Sequence, residues 1–440
     1  MARLLPLRGI RYAAEHVRLG GVLAPPYDVI STVQREALYG RDLRNIVRID
    51  FGEPYADDVP GTNDVYTRAH QHLRSWLQLG ILVQDERPGL YLVAHEFVTA
   101  AGVGHRRLGL MGRVPALPWD RSEVRPHERT LRGPKEDRLA LMRATRAQTS
   151  PVWVLWDGAP RLLPHLEELA EGQALLGGRF DGEVGSEKVL LWQLSDEAAL
   201  AEIDEMLSAA SLYIADGHHR FETAAAYAAE RRAAGDAEDA DSQHVLLYAS
   251  AAEDPALVVL PTHRMVRPRT GLPGSLAELH SRLGPAWKME PSTGEDAALV
   301  LARIEEQEGG AHAGPLDGEH AFVLVAPDGV AILHRGRARV ASARAALDVS
   351  VLEDEVVAAC GITEDELREG ALGYSRDPAE AATAVTEGRA ALAFLLRPCS
   401  AGEVLAVADA GETMPRKSTY FYPKVPTGLV ISPLGPLPQD

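Results

Sequence analysis

The stretch SLYIADGHHRFETAAAYAAERRAA, residues 211–234, constrains this chain more than any other. A short apolar strand, SLYIAD, passes into a helix through a single glycine. Gly217 lets the backbone turn sharply and lets a ligand come close. The helix then begins with free N–H groups, and the positive end of its dipole faces the turn. That arrangement attracts anions before any side chain is counted. Arg220 adds a planar fork suited to phosphate. His218 and His219 add donors or metal ligands. His218 and Glu222 lie one helical turn apart and could grip one divalent ion. The competing reading makes Asp216 a helix cap and the histidines ordinary surface residues. Five polar residues at one strand-to-helix turn favour a site, because ligands gather at strand C-termini in open sheets.

The rest of the chain alternates strands and helices, which predicts a mixed α/β or α+β architecture. Residues 62–80 carry apolar side chains at helical spacing. GLYLVAHEFV and HRRLGLMGRV, joined by AAGVG, read as a hairpin. PVWVLWDG, KVLLWQL, HVLLYAS and ALVVLPTHRMV read as buried strands. Beyond residue 270 follow further helices and the strands HAFVLVAP, VAILHR and RAALAFLLRP, with a surface loop at 309–319. With 440 residues, more than one domain is expected. The texture suggests regions 1–150, 151–270 and 271–440, the middle one holding the DGHHR turn.

Four other stretches concentrate chemistry. In RPHERTLRGPKEDRLALMRAT, His127 and Glu128 are a candidate acid and base, and Arg125, Lys135 and Arg138 could hold phosphates. The alternative is a solvated loop leading into an amphipathic helix. HExxH is absent, since Leu131 stands where the second histidine would be, so a zinc protease is excluded. LPTHRMV places His263 and Arg264 at another strand end, as a metal ligand and a phosphate ligand or as a polar tip. MPRKSTYFYPKVPTGLV interleaves Lys417 and Lys424 with hydroxyls, for a phosphate pocket or a protected edge strand. In VLAPPYDVIS, Asp28 is a candidate base or a helix cap, a role Ser31 could also take. Asp216, His218, Glu222 and His263 are the candidate metal ligands.

Charge narrows the partners. The 45 basic and 63 acidic residues leave a net charge of −18, which argues against a nucleic-acid coat. No apolar run approaches a membrane span, and the N-terminus lacks a signal-peptide core, so a cytoplasmic protein is expected. The two cysteines, Cys360 and Cys399, read as structural thiols. No GxxxxGK[ST], GxGxxG or GxSxG motif occurs.

Taken in order, VLAPPYDVIS, PHERT with KEDRLAL, SPVWVL, YIADGHHRFETA, LPTHR and KSTYFYPKVPTGLV resemble a prokaryotic family, domain of unknown function 1015. The DGHHR turn is similar to that of the ParB/sulfiredoxin fold, and most of all to its free serine kinases. That resemblance implies a ParB/sulfiredoxin-like core, an ADP or ATP ligand, Mg²⁺, and phosphoryl transfer to L-serine or a similar hydroxylated metabolite. It implies phosphate and metal roles for Asp216, His218, His219 and Arg220, around the anion turn that starts at Gly217. The base does not carry over by motif; Glu128 is narrowly preferred to Asp28. Sulfiredoxin chemistry needs a cysteine at the phosphate turn, where this chain has histidines. A ParB-like nucleotide-binding regulator and a metal-dependent hydrolase or phosphatase are the alternatives.

Overall fold

The computed structural model describes residues 3–128, 132–292, 294–307, 318–338, 340 and 342–436. Most of the loop expected at 309–319 lies outside the described residues, as do Arg129 and Thr130 of the PHERT motif. The fold is mixed α/β and divides into two compact units. One comprises Met1–Leu257 with Pro423–Asp440, the other Val258–Tyr422.

An eight-stranded mixed sheet organises the first unit. Its order is Val124–Arg125, Ser211–Asp216, Val152–Asp157, His244–Ala251, Gly104–Pro115, Leu90–Val98, Ser186–Leu194 and Leu176–Asp181. The expected hairpin is its centre, with Leu92 opposite Leu110 and Ala94 opposite Leu108. Strands from both sides of residue 150 interleave here, so the regions 1–150 and 151–270 share one sheet. The central strands are apolar on both faces, as strands covered on both sides must be. Helices Leu162–Leu169, Glu197–Leu207 and His218–Ala233 pack Leu166, Ile203, Phe221 and Ala224 into the core over one face.

Local sequence explains the helix starts. Asp64 caps Val65–Gln78 through the N–H groups of Tyr66 and Thr67. Ser31 caps Thr32–Arg41 in a reciprocal box with Gln34. Asp28 is therefore released from capping and stands in a single 3₁₀ turn, Tyr27–Val29.

The C-terminal segment returns to the first unit. Arg107, fully buried within strand Gly104–Pro115, lies 4.0 Å over the Trp153 ring and donates to the Pro423 carbonyl at 3.0 Å. Ser150 and Thr427 share a hydrogen bond of 2.6 Å. Lys424 is thereby fixed beside the strand that carries Asp216.

The second unit holds a six-stranded sheet in the order Lys288–Ser292, Gly329–Gly336, Glu319–Ala326, Leu392–Leu395, His263–Val266 and Leu372–Ser375. ALVVLPTHRMV, expected as one strand, is two. Val258–Leu260 pairs with Tyr420–Tyr422, and His263–Val266 joins the larger sheet. Pro261 stands between them and has no N–H to continue a ladder. Among the described residues, no helix is long and apolar enough to cross a membrane. Cys360 and Cys399 are buried free thiols, and burial pushes the Cys360 thiol up to about 12.

Candidate functional site

The strand-to-helix turn is shaped by two backbone irregularities. Ser211–Asp216 runs in register with Val152–Asp157 until Ile214, and then slips, so that Asp216 faces Trp153. A bulge of this kind re-aims the side chain that follows it. Gly217 has φ of 97°, a left-handed conformation that costs other residues strain. A Cβ there would also lie 2.9 Å from the Arg220 guanidinium. The helix His218–Ala233 begins without any side-chain cap. Its first backbone bond runs from the Phe221 N–H to the Gly217 carbonyl, 3.0 Å. The N–H groups of His218, His219 and Arg220 thus precede the helical ladder and point into the turn.

Side chains around this turn divide into struts and accessible groups. Asp216 pairs with both Arg220 and Lys424. Burial alone would raise its carboxyl, but Lys424 and then Arg220 overcome that and hold it down to about 2. Arg220 is buried and also donates to the Pro151 carbonyl, so its guanidinium braces the turn. Arg138 is buried too. It lies 4.1 Å over the Tyr27 ring, donates to the Asp50 carbonyl at 2.6 Å and pairs with Asp137 at 2.7 Å. Asp50 in turn accepts from the Thr149 hydroxyl at 2.5 Å. Tyr27, Asp50, Arg138, Thr149, Ser150 and Arg220 line a cavity of about 40 Å³.

Asp28 is different. Its side chain reaches solvent, yet it stands in a crowded surround within range of Asp216, Arg220 and Lys424. Poor hydration, followed by the negative charge of Asp216, pushes its carboxyl above the usual carboxylate range. His219, half-buried at the helix start, also feels the Asp28 charge.

A second group adjoins the turn. The His127 and His218 rings meet edge to face, with centroids 4.6 Å apart. The His127 backbone N–H donates to His218 Nε2 at 3.3 Å. Burial holds the His127 imidazole down to about 4 and that of His218 well below its ordinary value. Potential ligand atoms of His127, Glu128 and His218 lie within 4.8 Å of one another. Glu222, one turn along the helix from His218, pairs instead with Lys135 at 2.5 Å and accepts from the Trp119 indole at 2.7 Å. Arg125 donates to the Tyr213 hydroxyl at 3.1 Å.

The remaining expected residues belong to the second unit. His263 is fully buried, and its Nδ1 accepts from the Leu396 N–H at 3.2 Å. Arg264 pairs with Glu353 at 3.1 Å and donates to the carbonyls of Thr262, Arg416 and Lys417. Lys417 has a left-handed φ of 54°, and its ammonium lies 5.0 Å over the Tyr374 ring. Within the first unit the turn gathers Asp28, His127, Glu128, Lys424 and residues 216–222. Sequence reasoning missed Asp50 and Thr149, which support Arg138, and Arg107, which holds the C-terminal segment. The one available signal was the arginine pair inside the apolar strand HRRLGLMG.

A family model described as "Protein of unknown function (DUF1015)" matches residues 4–350. The chain belongs to that family. Curated proteins give no match. Among solved structures, the chain is similar to a conserved hypothetical protein from Pyrococcus furiosus. That pair shares 15% identity, covers 72% of this chain and 93% of the other, and has a TM-score of 0.34. A free serine kinase in complex with AMP shares 15% identity over 72% of this chain and 92% of its own, with a TM-score of 0.35. SbnI from Staphylococcus aureus, truncated at its C-terminus, shares 14% over 74% and 87%, again with a TM-score of 0.35. Superpositions this loose leave function to be argued from the site itself.

Proposed function

We propose that this chain is a nucleotide-dependent phosphotransferase acting on a small hydroxylated metabolite, with free L-serine as the first acceptor to test. One observation carries the reading. An uncapped helix N-terminus stands beside a solvent-reaching carboxyl, Asp28, whose surroundings raise its affinity for a proton. Phosphoryl transfer depends on positioning and charge stabilisation, together with a group that receives the hydroxyl proton. The N–H groups of His218, His219 and Arg220 supply the phosphate cradle. Asp28 supplies the proton acceptor. Asp216 stays ionised and keeps Arg220 and Lys424 in place. Two carboxylates pushed apart in proton affinity are what acid–base work requires.

Glu128, which the sequence prefers narrowly as base, is grouped with His127 and His218. We therefore assign the base to Asp28. Magnesium, implied by the serine-kinase resemblance, takes oxygen ligands, and the nucleotide phosphates with water would provide them. Bound there it would neutralise phosphate charge. The net charge of −18 keeps nucleic acid out of the reading.

Asp28→Asn is the test. Wild type should bind ADP and consume ATP when L-serine and Mg²⁺ are supplied. Asp28→Asn should keep its ADP affinity and lose turnover by roughly 10²- to 10⁴-fold. Full turnover in the variant removes Asp28 as base. Absence of nucleotide binding in wild type removes the phosphotransferase.

A further inference from the structure

We propose that His127, Glu128 and His218 bind one first-row divalent ion, with zinc the best match, and leave a coordination position open. The three residues come from two separate segments. His127 and Glu128 follow the edge strand Val124–Arg125, and His218 opens the helix after the neighbouring strand Ser211–Asp216. Parallel pairing of those strands, Leu212 opposite Val124 and Tyr213 opposite Arg125, brings both C-terminal ends to the same side. The ligand atoms already lie within 4.8 Å of one another. A tetrahedral zinc ion needs them roughly 3.4 Å apart, a closure that side-chain rotation supplies.

A second observation comes from His127 itself. It is 1% exposed, and its Nδ1 has no hydrogen-bond partner among the described residues. The ring also lies within range of the Ile214 carbonyl. A buried imidazole nitrogen left without a hydrogen-bond partner is a position that a metal ion can satisfy. His218 Nε2 carries only the long 3.3 Å contact from the His127 N–H, which an ion can displace. Two imidazoles and one carboxylate suit zinc and its neighbours, whereas magnesium wants oxygen alone. Three protein ligands are the number that leaves a fourth position for water or a ligand oxygen. The inference is independent of the phosphotransferase reading, although His218 serves both.

The experiment uses untagged full-length protein, stripped with a chelator and titrated with Zn(II) against a chromophoric competitor, without nucleotide. One equivalent should bind, and millimolar Mg(II) should not displace it. His127→Gln and Glu128→Gln should each weaken binding by at least about 100-fold. Circular dichroism checks the fold; if buried His127→Gln does not fold, Glu128→Gln decides alone. Co(II) should give a visible d–d spectrum that Glu128→Gln alters. Substoichiometric zinc, or unchanged affinity in the folded variants, overturns the site. Zinc binding without any nucleotide binding would uphold this site and sink the phosphotransferase.

Discussion

Asp216 and Asp28 show how two identical side chains acquire opposite properties from their neighbours. Asp216 meets two cations, so its folded-state carboxyl falls to about 2. A depressed carboxyl contributes stability above its unfolded value and loses it as pH falls through the folded one. Between pH about 4 and pH about 2 that contribution, about 2 kcal/mol, should disappear. Urea unfolding across this range should show the loss in wild type. Asp216→Asn should lack it, and should be less stable at pH 7 because Arg220 and Lys424 lose their counter-charge. A parallel pH dependence in both proteins would refute the pairing. The residues of the turn were legible because five polar side chains at a strand end have no use in packing. Asp28 was legible only as an alternative, since a carboxylate before a helix reads equally well as a cap. Ser31 resolves that ambiguity by capping the helix itself.

At the scale of elements, the turn depends on a bulge and a left-handed glycine. Gly217→Ala should cost about 1–2 kcal/mol for the backbone conformation alone. The new Cβ should also push the Arg220 guanidinium away from Asp216, because it would sit 2.9 Å from it. A melting curve matching wild type would mean that the turn tolerates a side chain and that the glycine has no conformational role. The hairpin and the central strands were legible from apolar runs bounded by turn residues. Leu176–Asp181 was not, because its sequence LGGRFD carries two glycines and weak alternation. The break at Pro261 was also missed, although proline's lack of an N–H foretells it. The bulge at Ala215 left no mark in the sequence, and it is what aims Asp216.

At the scale of the whole molecule, Val258–Tyr422 is an insertion into the first unit. Val258 pairs directly with Tyr422, so the ends of the insertion stand one strand spacing apart. Replacing 258–422 by a short Gly-Ser linker should leave a folded first unit that still binds ADP, because Lys424 and the whole turn belong to it. Loss of ADP binding with the fold intact would place part of the site in the insertion. This organisation was hidden from sequence reasoning. The return of residues 423–436 to the first unit is a tertiary event, fixed by Arg107, Thr149 and Ser150, and no local pattern encodes it.

The central claim is that the helix start at Gly217 is a phosphate cradle. The most direct measurement labels the 15 histidines with ¹⁵N and follows their backbone amides on addition of ADP, with adenosine as control. The His218 and His219 amides, identified by single substitutions, should shift with ADP and not with adenosine. ADP binding that leaves both amides unmoved would contradict the account.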